Sequence, residues 1–254
     1  MYPIEKRIPN LLTFINLFCG FLAIIACISG DLVMAGWLIF IAAFADLLDG
    51  LAARLLNAYS TLGGELDSLA DMVSFGLAPA LIAYMLLLKT HASWLDWIYI
   101  YEVPLLGLFP FAIVAAAAYR LARFNIAEES KSSFTGLPSP AAAMFFASLP
   151  LMLQYEVFVI RFDIYSISLF VLNPWILTCA IFLVSWLMIS KIQLFSLKIS
   201  GFNTPQARIV VLFLLLSLIL FIFLLWASIP LIILSYILIS VFSKSNQDEI
   251  QSTD

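Results

Sequence analysis

Four aspartates lie within a stretch of the sequence that is otherwise mainly apolar. They are Asp46, Asp49, Asp67 and Asp71. A carboxylate in the interior of a membrane costs at least about 2.5–3.5 kcal/mol, so such groups pair with cations or line a wet cavity. Arg54 is the one basic side chain between the first and the last of these aspartates. Because one arginine cannot balance four carboxylates, the sequence predicts a bound divalent metal ion.

The first two aspartates share a helix face with small residues. By helical periodicity, this face carries Asp46, Asp49, Gly50 and Ala53, and Arg54 lies at its edge. The lack of side-chain bulk at Gly50 and Ala53 lets a ligand approach the backbone. The planar guanidinium of Arg54 suits an anionic ligand, and phosphate matches it best.

The other two aspartates define the kind of ion that is expected. Asp67 and Asp71 are four residues apart and share one face of the following helix. A short turn at residues 57–64 between antiparallel helices would bring all four carboxylates together. Ligand sets made only of oxygen suit Mg²⁺ or Mn²⁺, and two such ions would neutralise the four charges. A purely structural metal site is the alternative, but it would not require Gly50 and Arg54 nearby.

The spacing of these residues also resembles a known family signature. The pattern D-x-x-D-G-x-x-A-R, eight residues, then G-x-x-x-D-x-x-x-D is that of the CDP-alcohol phosphotransferases. The residues that match it are Asp46, Asp49, Gly50, Ala53, Arg54, Gly63, Asp67 and Asp71. The resemblance implies that the four aspartates hold the metal and that Asp71 also acts as general base. It also implies that Gly50, Ala53, Arg54 and Gly63 bind the cytidine diphosphate part of the donor.

Three further motifs resemble one branch of this family. They are DSLADMVSFGLAPA at 67–80, YRLARFN at 119–125 and FTGLPSPAAA at 134–143. This branch transfers a phosphatidyl group from CDP-diacylglycerol to the hydroxyl of L-serine and releases CMP. The resemblance extends from about Lys6 to Lys198 and adds little for the last two helices. It also suggests that the protein is a homodimer.

Four polar residues outside the signature are further candidates for ligand contacts. Arg120 and Arg123 either extend to lipid head groups or point inward and bind an anionic group, either a substrate phosphate or the carboxylate of serine. Ser74 lies three residues after Asp71 on the same helix face and is a candidate contact for the serine substrate. Asn10 either caps the first helix or contacts the nucleotide.

The composition is that of a membrane protein. Of the 254 residues, 64% are hydrophobic and 11% are charged, whereas soluble domains contain about 25% charged residues. No basic stretch suited to nucleic acid is present in the sequence. The cysteines Cys19, Cys27 and Cys179 lie in apolar segments and are interpreted as buried thiols without a disulfide.

Apolar runs predict an all-α integral membrane protein with eight spans, which the resemblance divides into a bundle of six and two C-terminal helices. The predicted spans are Leu11–Ser29, Leu32–Asn57, Glu65–Leu88, Pro104–Asn125, Ser139–Val159, Val171–Ser190, Ala207–Ala227 and Ile229–Ser243. Residues 1–242 form one catalytic membrane domain in this interpretation. Residues 243–254 form a polar tail that is expected to be disordered.

The basic residues predict the orientation of the spans. With eight spans, ten of the twelve lysines and arginines fall on one side, which is the cytoplasmic side by the positive-inside rule. Both termini and the aspartates are therefore expected at the cytoplasmic face of the inner membrane. Lys6 and Arg7 are expected to contact the head groups of membrane lipids.

Two rival functions remain open from the sequence. A related enzyme of the same family would use another acceptor, such as glycerol 3-phosphate or inositol phosphate, whose anionic groups would also suit Arg120 and Arg123. A cation transporter with intramembrane aspartates belongs to a different class. Against the transporter, the aspartates lie near one membrane face, and Arg54 would repel a transported cation.

Overall fold

The structure of the chain is a computed structural model. It describes residues 7–58, 60–90, 92, 99–100, 103–126, 135–155, 164–192 and 205–251. The α-helices within these ranges are α1 (Arg7–Ile28), α2 (Leu32–Leu55), α3 (Thr61–Asp71), α4 (Ala78–Lys89), α5 (Phe111–Ile126), α6 (Ser139–Gln154), α7 (Ile164–Val171), α8 (Pro174–Ile189), α9 (Pro205–Leu224) and α10 (Ser228–Gln251). Two-residue strands β1 (Tyr99–Ile100) and β2 (Val103–Pro104) form a small antiparallel pair, which a 3₁₀ turn at Leu105–Leu108 follows.

The helices have the length and composition of membrane spans. Five helical runs of the described residues are long and apolar enough to cross a bilayer: Ile8–Ile28, Leu32–Leu55, Thr61–Lys89, Leu105–Ile126 and Ala207–Ser240. Helices α6 and α8 are shorter but also apolar. The chain is thus an all-α integral membrane protein, as predicted. The eight predicted spans correspond to α1, α2, α3 joined to α4, α5, α6, α8, α9 and α10.

Small residues let the central helices approach closely. Ala23 of α1 and Ala35 and Ala42 of α2 are fully buried in the core. A Cβ atom added to Gly36 of α2 would lie 2.6 Å from the carbonyl oxygen of Ala147 in α6. Membrane helices associate through this kind of close packing, because lipid provides no hydrophobic force between them. Helices α1, α2 and α6 therefore form a tight framework around the aspartates.

A π-helical segment at Met72–Leu77 joins α3 to α4. Pro79 follows it at the start of α4, and the sequence predicts a bend there. The backbone N–H of Ala78 donates to the carbonyl of Val73, five residues earlier. Proline lacks an N–H and its ring clashes with the carbonyl four residues before it, so widening the preceding turn accommodates it without ending the helix. The span remains continuous from Thr61 to Lys89.

Helices α9 and α10 form a hairpin. Leu225, in the 3₁₀ turn between them, has a φ of 45°, and the ring centroids of Phe213 and Tyr236 lie 5.6 Å apart. Residues 23 positions apart would be about 34 Å apart in a straight helix, so the chain must reverse. At the tip of the hairpin, Trp226 contacts the ring of Trp37 at the start of α2, with centroids 4.8 Å apart.

Three details differ from the sequence prediction. Helix α10 continues to Gln251, so the expectation of disorder was wrong for residues 243–251. That segment contains helix-forming residues and neither proline nor glycine. The sixth predicted span is divided at Asn173, whose Oδ1 caps α8 by accepting from the N–H of Trp175 at 3.0 Å. Cys19 and Cys27 are buried as predicted, but Cys179 is exposed on the outer side of α8.

Candidate active site

Three of the four aspartates converge between the end of α2 and α3, two helices that both pack against α1. One carboxylate oxygen from each of Asp46, Asp49 and Asp67 lies within 4.8 Å of the others. Asp49 is buried, and the other two are half-buried. Negative charges at this distance repel each other strongly away from bulk water. A cation held between them would convert that repulsion into attraction.

The turn between α2 and α3 sets this geometry. Asn57 adopts a left-handed conformation with φ of 47°, which asparagine tolerates better than most residues. The N–H of Ala58 then donates to the carbonyl of Ala53 at 2.9 Å. Ser60 begins α3 as its N-cap, and its Oγ accepts from the N–H of Gly63 at 3.0 Å. A tight, capped turn therefore brings the two aspartate-bearing helices together.

Asp71 lies one helical turn beyond Asp67 and is anchored to α1. Its Oδ1 accepts a hydrogen bond from Nδ2 of Asn16 at 3.1 Å. Both residues are buried, and Asn16 is fully so. The carboxylate is therefore held on one side by a neutral amide from a different helix.

Ser74 belongs to the contact between α1 and the π-helical segment. It is fully buried, and its Oγ donates to the backbone carbonyl of Asn16 at 2.9 Å. A Cβ atom added to Gly20 would overlap Oγ of Ser74 and lie 2.8 Å from its Cα. Ser74 therefore packs between two helices in this structure, and its contact with a substrate stays a prediction.

Asp49 is also tied to α1. Oγ1 of Thr13 donates to Oδ2 of Asp49 at 2.8 Å and lies 3.1 Å from the carbonyl oxygen of Pro9. Since one hydroxyl has a single proton, the carboxylate is the stronger acceptor and the carbonyl a weaker alternative. Helix α1 thus contacts two of the aspartates through neutral polar side chains.

The two glycines of the signature differ, since Gly50 faces open space and Gly63 is closely packed. A Cβ atom added to Gly50 would meet nothing within 4 Å, whereas one added to Gly63 would lie 3.2 Å from Oδ1 of Asn10. Asn10 therefore lies beside the start of α3, close to where the turn ends. Ala53 is half-buried, and Arg54 is exposed in the last turn of α2. The open space that the structure shows beside this signature is therefore at Gly50.

The two arginines of α5 point towards the segment that precedes α6. Nη1 of Arg120 donates to Oγ of Ser139 at 2.9 Å, and Nη2 of Arg123 donates to Oγ1 of Thr135 at 2.6 Å. Arg120 is also close enough to Asp71 to interact with it electrostatically. Both side chains are half-buried, which corresponds to the inward-pointing interpretation.

The segment that receives these arginines is fixed to α8. Gly136 has a φ of 75°. Its N–H donates to the carbonyl of Ile192 at 2.9 Å, and the N–H of Leu137 donates to the carbonyl of Leu187 at 3.0 Å. A Cβ atom at Gly136 would lie 2.6 Å from the carbonyl oxygen of Met188. Glycine is required there for both its backbone conformation and its close contact.

Unpartnered polar atoms concentrate in this region. Among the described residues, four buried side-chain atoms lack a hydrogen-bond partner: Asn16 Oδ1, Asp67 Oδ1, Arg120 Nε and Thr178 Oγ1. Buried polar groups are nearly always paired, so each exception needs an explanation. The first three belong to the site, and the free carboxylate oxygen of Asp67 fits the oxygen ligand of a hard divalent cation.

Comparison with known proteins assigns the chain to a family. A family model for CDP-alcohol phosphatidyltransferases matches residues 6–186. The chain is 34% identical over 192 residues to a CDP-diacylglycerol–serine O-phosphatidyltransferase of Bacillus subtilis, covering 73% of this chain and 88% of that protein. The chain belongs to the CDP-alcohol phosphatidyltransferase family.

Other relatives have related names. A CDP-diacylglycerol–serine O-phosphatidyltransferase of Helicobacter pylori is 41% identical over 140 residues, which cover 54% of this chain and 54% of that protein. An archaetidylserine synthase of Methanothermobacter thermautotrophicus is 33% identical over 168 residues, or 65% of this chain and 67% of that protein. The match to the CDP-alcohol phosphatidyltransferase family confirms the resemblance found in the signature.

Three polar residues in or beside the site of this CDP-alcohol phosphatidyltransferase were not predicted from the sequence. Thr13 and Asn16 contact aspartates, and Asn125 at the end of α5 accepts from Oγ of Ser68 at 2.9 Å and donates to Glu65 at 3.3 Å. A signal for the first two was available, since they follow Asn10 at three-residue intervals in an otherwise apolar span. Such spacing places them on one side of α1. The contacts of Asn125 with α3 had no comparable signal.

Proposed function

We propose that the protein transfers the phosphatidyl group of CDP-diacylglycerol to the hydroxyl of L-serine, giving phosphatidylserine and CMP. The observation that carries this proposal is the convergence of three carboxylates from α2 and from α3, which also carries Asp71, with Arg120 of α5 close to Asp71. The names of the relatives support serine as the acceptor. An alternative within the family is a different acceptor alcohol.

The donor is proposed to bind between the turn and the aspartates. Gly50, Ala53 and Gly63 would admit the cytidine diphosphate part, and Arg54 would bind a phosphate. Asn10 lies beside Gly63, which supports a contact with the nucleotide. The exposed position of Arg54 leaves its guanidinium available to an incoming ligand.

A divalent cation is proposed to be held by Asp46, Asp49 and Asp67, with Asp71 reaching the same site. Mg²⁺ or Mn²⁺ suits the all-oxygen donor set, and the charge of four carboxylates favours two ions. When bound, such ions neutralise the pyrophosphate and stabilise the negative charge that develops during transfer. Thr13 holds Asp49 in the orientation that the cluster requires.

Asp71 is proposed to act on the acceptor. Its carboxylate would accept the proton of the serine hydroxyl while that oxygen forms a bond to the phosphorus of the phosphatidyl group. The bond from this phosphorus to the oxygen of CMP breaks, and CMP leaves with the electron pair. Since Asp71 uses one oxygen to accept from Asn16, the other remains for the hydroxyl.

Serine is proposed to bind near α5. Arg120 interacts electrostatically with Asp71 and has an unpartnered Nε, so its guanidinium could receive the serine carboxylate while the hydroxyl faces Asp71. Arg123 lies three residues after Arg120 in α5 and donates a hydrogen bond to Thr135. Ser74 remains a candidate contact only if α1 moves, because its hydroxyl is buried and already bonded.

An acceptor comparison tests this function. The purified protein in lipid nanodiscs is incubated with CDP-diacylglycerol, Mg²⁺ or Mn²⁺ and one alcohol, and CMP release and lipid product are measured. We expect metal-dependent product with serine and little with glycerol 3-phosphate or inositol phosphate. Preference for one of the latter would replace serine by that acceptor. CMP release with no alcohol-dependent product would contradict a transferase altogether, and cation flux without CMP release would indicate a transporter.

The protein is proposed to lie in the cytoplasmic membrane as a homodimer with both termini and the site on the cytoplasmic side. The positive-inside bias and the family resemblance support this. Leu55, which is 81% exposed at the end of α2, can be tested as Leu55→Cys in a variant lacking Cys19, Cys27 and Cys179. Labelling by an impermeant maleimide only after lysis is expected. Labelling of intact cells would reverse the orientation, and a single subunit per nanodisc by mass photometry would exclude the dimer.

A further inference from the structure

Asn16 combines three features that packing alone does not explain. It is fully buried in α1, its Nδ2 donates to Asp71, and its Oδ1 has no partner. An unpaired buried oxygen is destabilising, and an apolar residue would avoid it. The presence of asparagine at this position is better explained by the contact of its amide with the carboxylate of Asp71.

The surroundings of Asn16 hold it in a fixed position. Its backbone carbonyl accepts from Ser74 at 2.9 Å, and the glycine at position 20 lets the π-helical segment approach α1 closely enough for that bond. The same span thus carries both Asp71 and the hydroxyl that anchors Asn16. The amide and the carboxylate are connected twice, through the side chain and through the backbone.

We propose that Asn16 is a positioning residue that orients Asp71 towards the acceptor hydroxyl. By donating to Oδ1, the amide fixes the rotation of the carboxylate and directs Oδ2 away from α1. The amide is neutral, so it orients the carboxylate without adding a positive charge. The inference rests on the proposed function only in giving Asp71 a role in the acceptor step.

A role of this kind has a kinetic signature. Asn16→Leu removes the donor while filling a similar volume. Since the loss of a hydrogen bond to a charged group corresponds to a factor of about 10 to 150, we expect kcat to fall by that factor. The KM values for CDP-diacylglycerol and the acceptor should change little, because Asn16 is buried behind Asp71. Asn16→Ser, which keeps a donor on a shorter side chain, should lie between Asn16→Leu and the wild type.

The decisive measurement is a double-mutant cycle with Asp71→Glu. Glutamate keeps the carboxylate but displaces it by one methylene, so Asn16 no longer orients it. If Asn16 acts through Asp71, then Asn16→Leu should cause almost no further loss in the Asp71→Glu protein. A full multiplicative loss in that background would overturn the proposal. So would a rise in the KM for CDP-diacylglycerol that equals the loss of kcat.

Two controls separate positioning from a general disturbance. Cys19→Ala truncates another buried side chain of α1, one turn away, and should leave kcat unchanged; an equal loss there would indicate that α1 packing alone is responsible. Mn²⁺ affinity, measured by electron paramagnetic resonance without substrates, should fall by a smaller factor than kcat in Asn16→Leu, because Asp46, Asp49 and Asp67 remain in place; a loss of affinity equal to the loss of kcat would assign Asn16 to the metal site instead. All rates are measured with whichever alcohol the wild type uses, so a wrong acceptor does not affect this test.

Discussion

The span that carries Asp67 and Asp71 and the C-terminal hairpin meet the membrane in opposite ways. Of the most apolar window of Thr61–Lys89, 56% of residues are buried inside the protein, against 11% for Ala207–Ser240. The first span contains two aspartates and serines, whereas the hairpin exposes leucine, isoleucine and phenylalanine along most of its length. Polar residues are retained in a membrane span where protein surrounds them, and a purely apolar surface remains where lipid does.

We therefore expect the buried span to carry residues of the reaction and the hairpin to anchor the protein in the membrane. The hairpin contacts the remainder of the described structure at its tip, where Trp226 packs against Trp37 and Phe40, with centroids 4.8 and 5.5 Å away. Ile233 and Ile237 on one side of α10 also belong to the buried core. That tip lies at the start of α2, while the aspartates lie towards its end. Substitutions in the buried span should therefore change catalysis, and those in the hairpin should change stability alone.

The largest effect is expected from the aspartates. Asp46→Asn, Asp67→Asn and Asp71→Asn each keep the size of the side chain and remove its charge, so kcat/KM should fall by about 10³-fold or more, or about 4 kcal/mol. Asp31→Asn is the matched control. Asp31 caps the other end of α2 by accepting from the N–H of Met34 at 2.9 Å, and asparagine caps equally well.

These variants are compared at saturating Mg²⁺ or Mn²⁺ after membrane insertion has been verified. The control should keep wild-type turnover. Near-normal turnover in any of the first three would remove that residue from the proposed site.

The arginines of α5 should show the next largest effect. If Arg120 binds the serine carboxylate through two hydrogen bonds, Arg120→Lys loses one of them, and the KM for serine should rise about 10- to 150-fold. Arg54→Lys should instead raise the KM for CDP-diacylglycerol, because Arg54 is the residue proposed to bind a phosphate of the donor. Each substrate is varied in turn for both variants. An equal loss for both substrates in Arg120→Lys would indicate phosphate binding, and no loss would return it to a structural role.

Substitutions of three glycines should have smaller effects, which distinguish a glycine needed for helix packing from one that leaves space for a ligand. Gly20→Ala places a methyl group against Ser74, so we expect a destabilisation of about 1–3 kcal/mol. Gly50→Ala and Gly64→Ala meet nothing within 4 Å, and each should gain up to about 1 kcal/mol from helix propensity. Of these two, only Gly50→Ala should weaken the use of CDP-diacylglycerol. Thermal unfolding in detergent and donor kinetics measure both quantities, and a stabilised Gly20→Ala would contradict the observed helix contact.

The smallest effects should come from the hairpin. Trp226→Ala removes the aromatic contacts at the tip and should lower stability by about 1–2 kcal/mol, with kcat and both KM values unchanged. Leu218 is 56% exposed to the lipid side, so Leu218→Ala should change stability by less than about 0.5 kcal/mol. A catalytic defect in Trp226→Ala would show that the two regions are coupled.

The sequence predicted the parts of the site that lie on one helix or on two consecutive helices. Helical periodicity and a short turn were enough to bring Asp46, Asp49 and Asp67 together. It could not predict the partners of Asp71 and Arg120, because Asn16 and Ser139 come from distant segments and no local pattern records which helices pack together. The π-helical segment was also missed, since its hydrogen-bond pattern depends on how Pro79 is accommodated.

The π-helical segment also affects how this chain can be compared with its relatives. A wide turn holds one more residue than an α-helical turn, so it behaves as a single-residue insertion inside a helix. Because the wide turn absorbs the extra residue, deleting one residue between Met72 and Leu77 should restore a regular α-helical turn and leave Asp67 and Asp71 on the same side relative to α4. The same deletion in a regular part of the span would rotate one side against the other by about 100°. An alignment gap, normally a feature of loops, would in this family have a direct meaning inside a membrane helix.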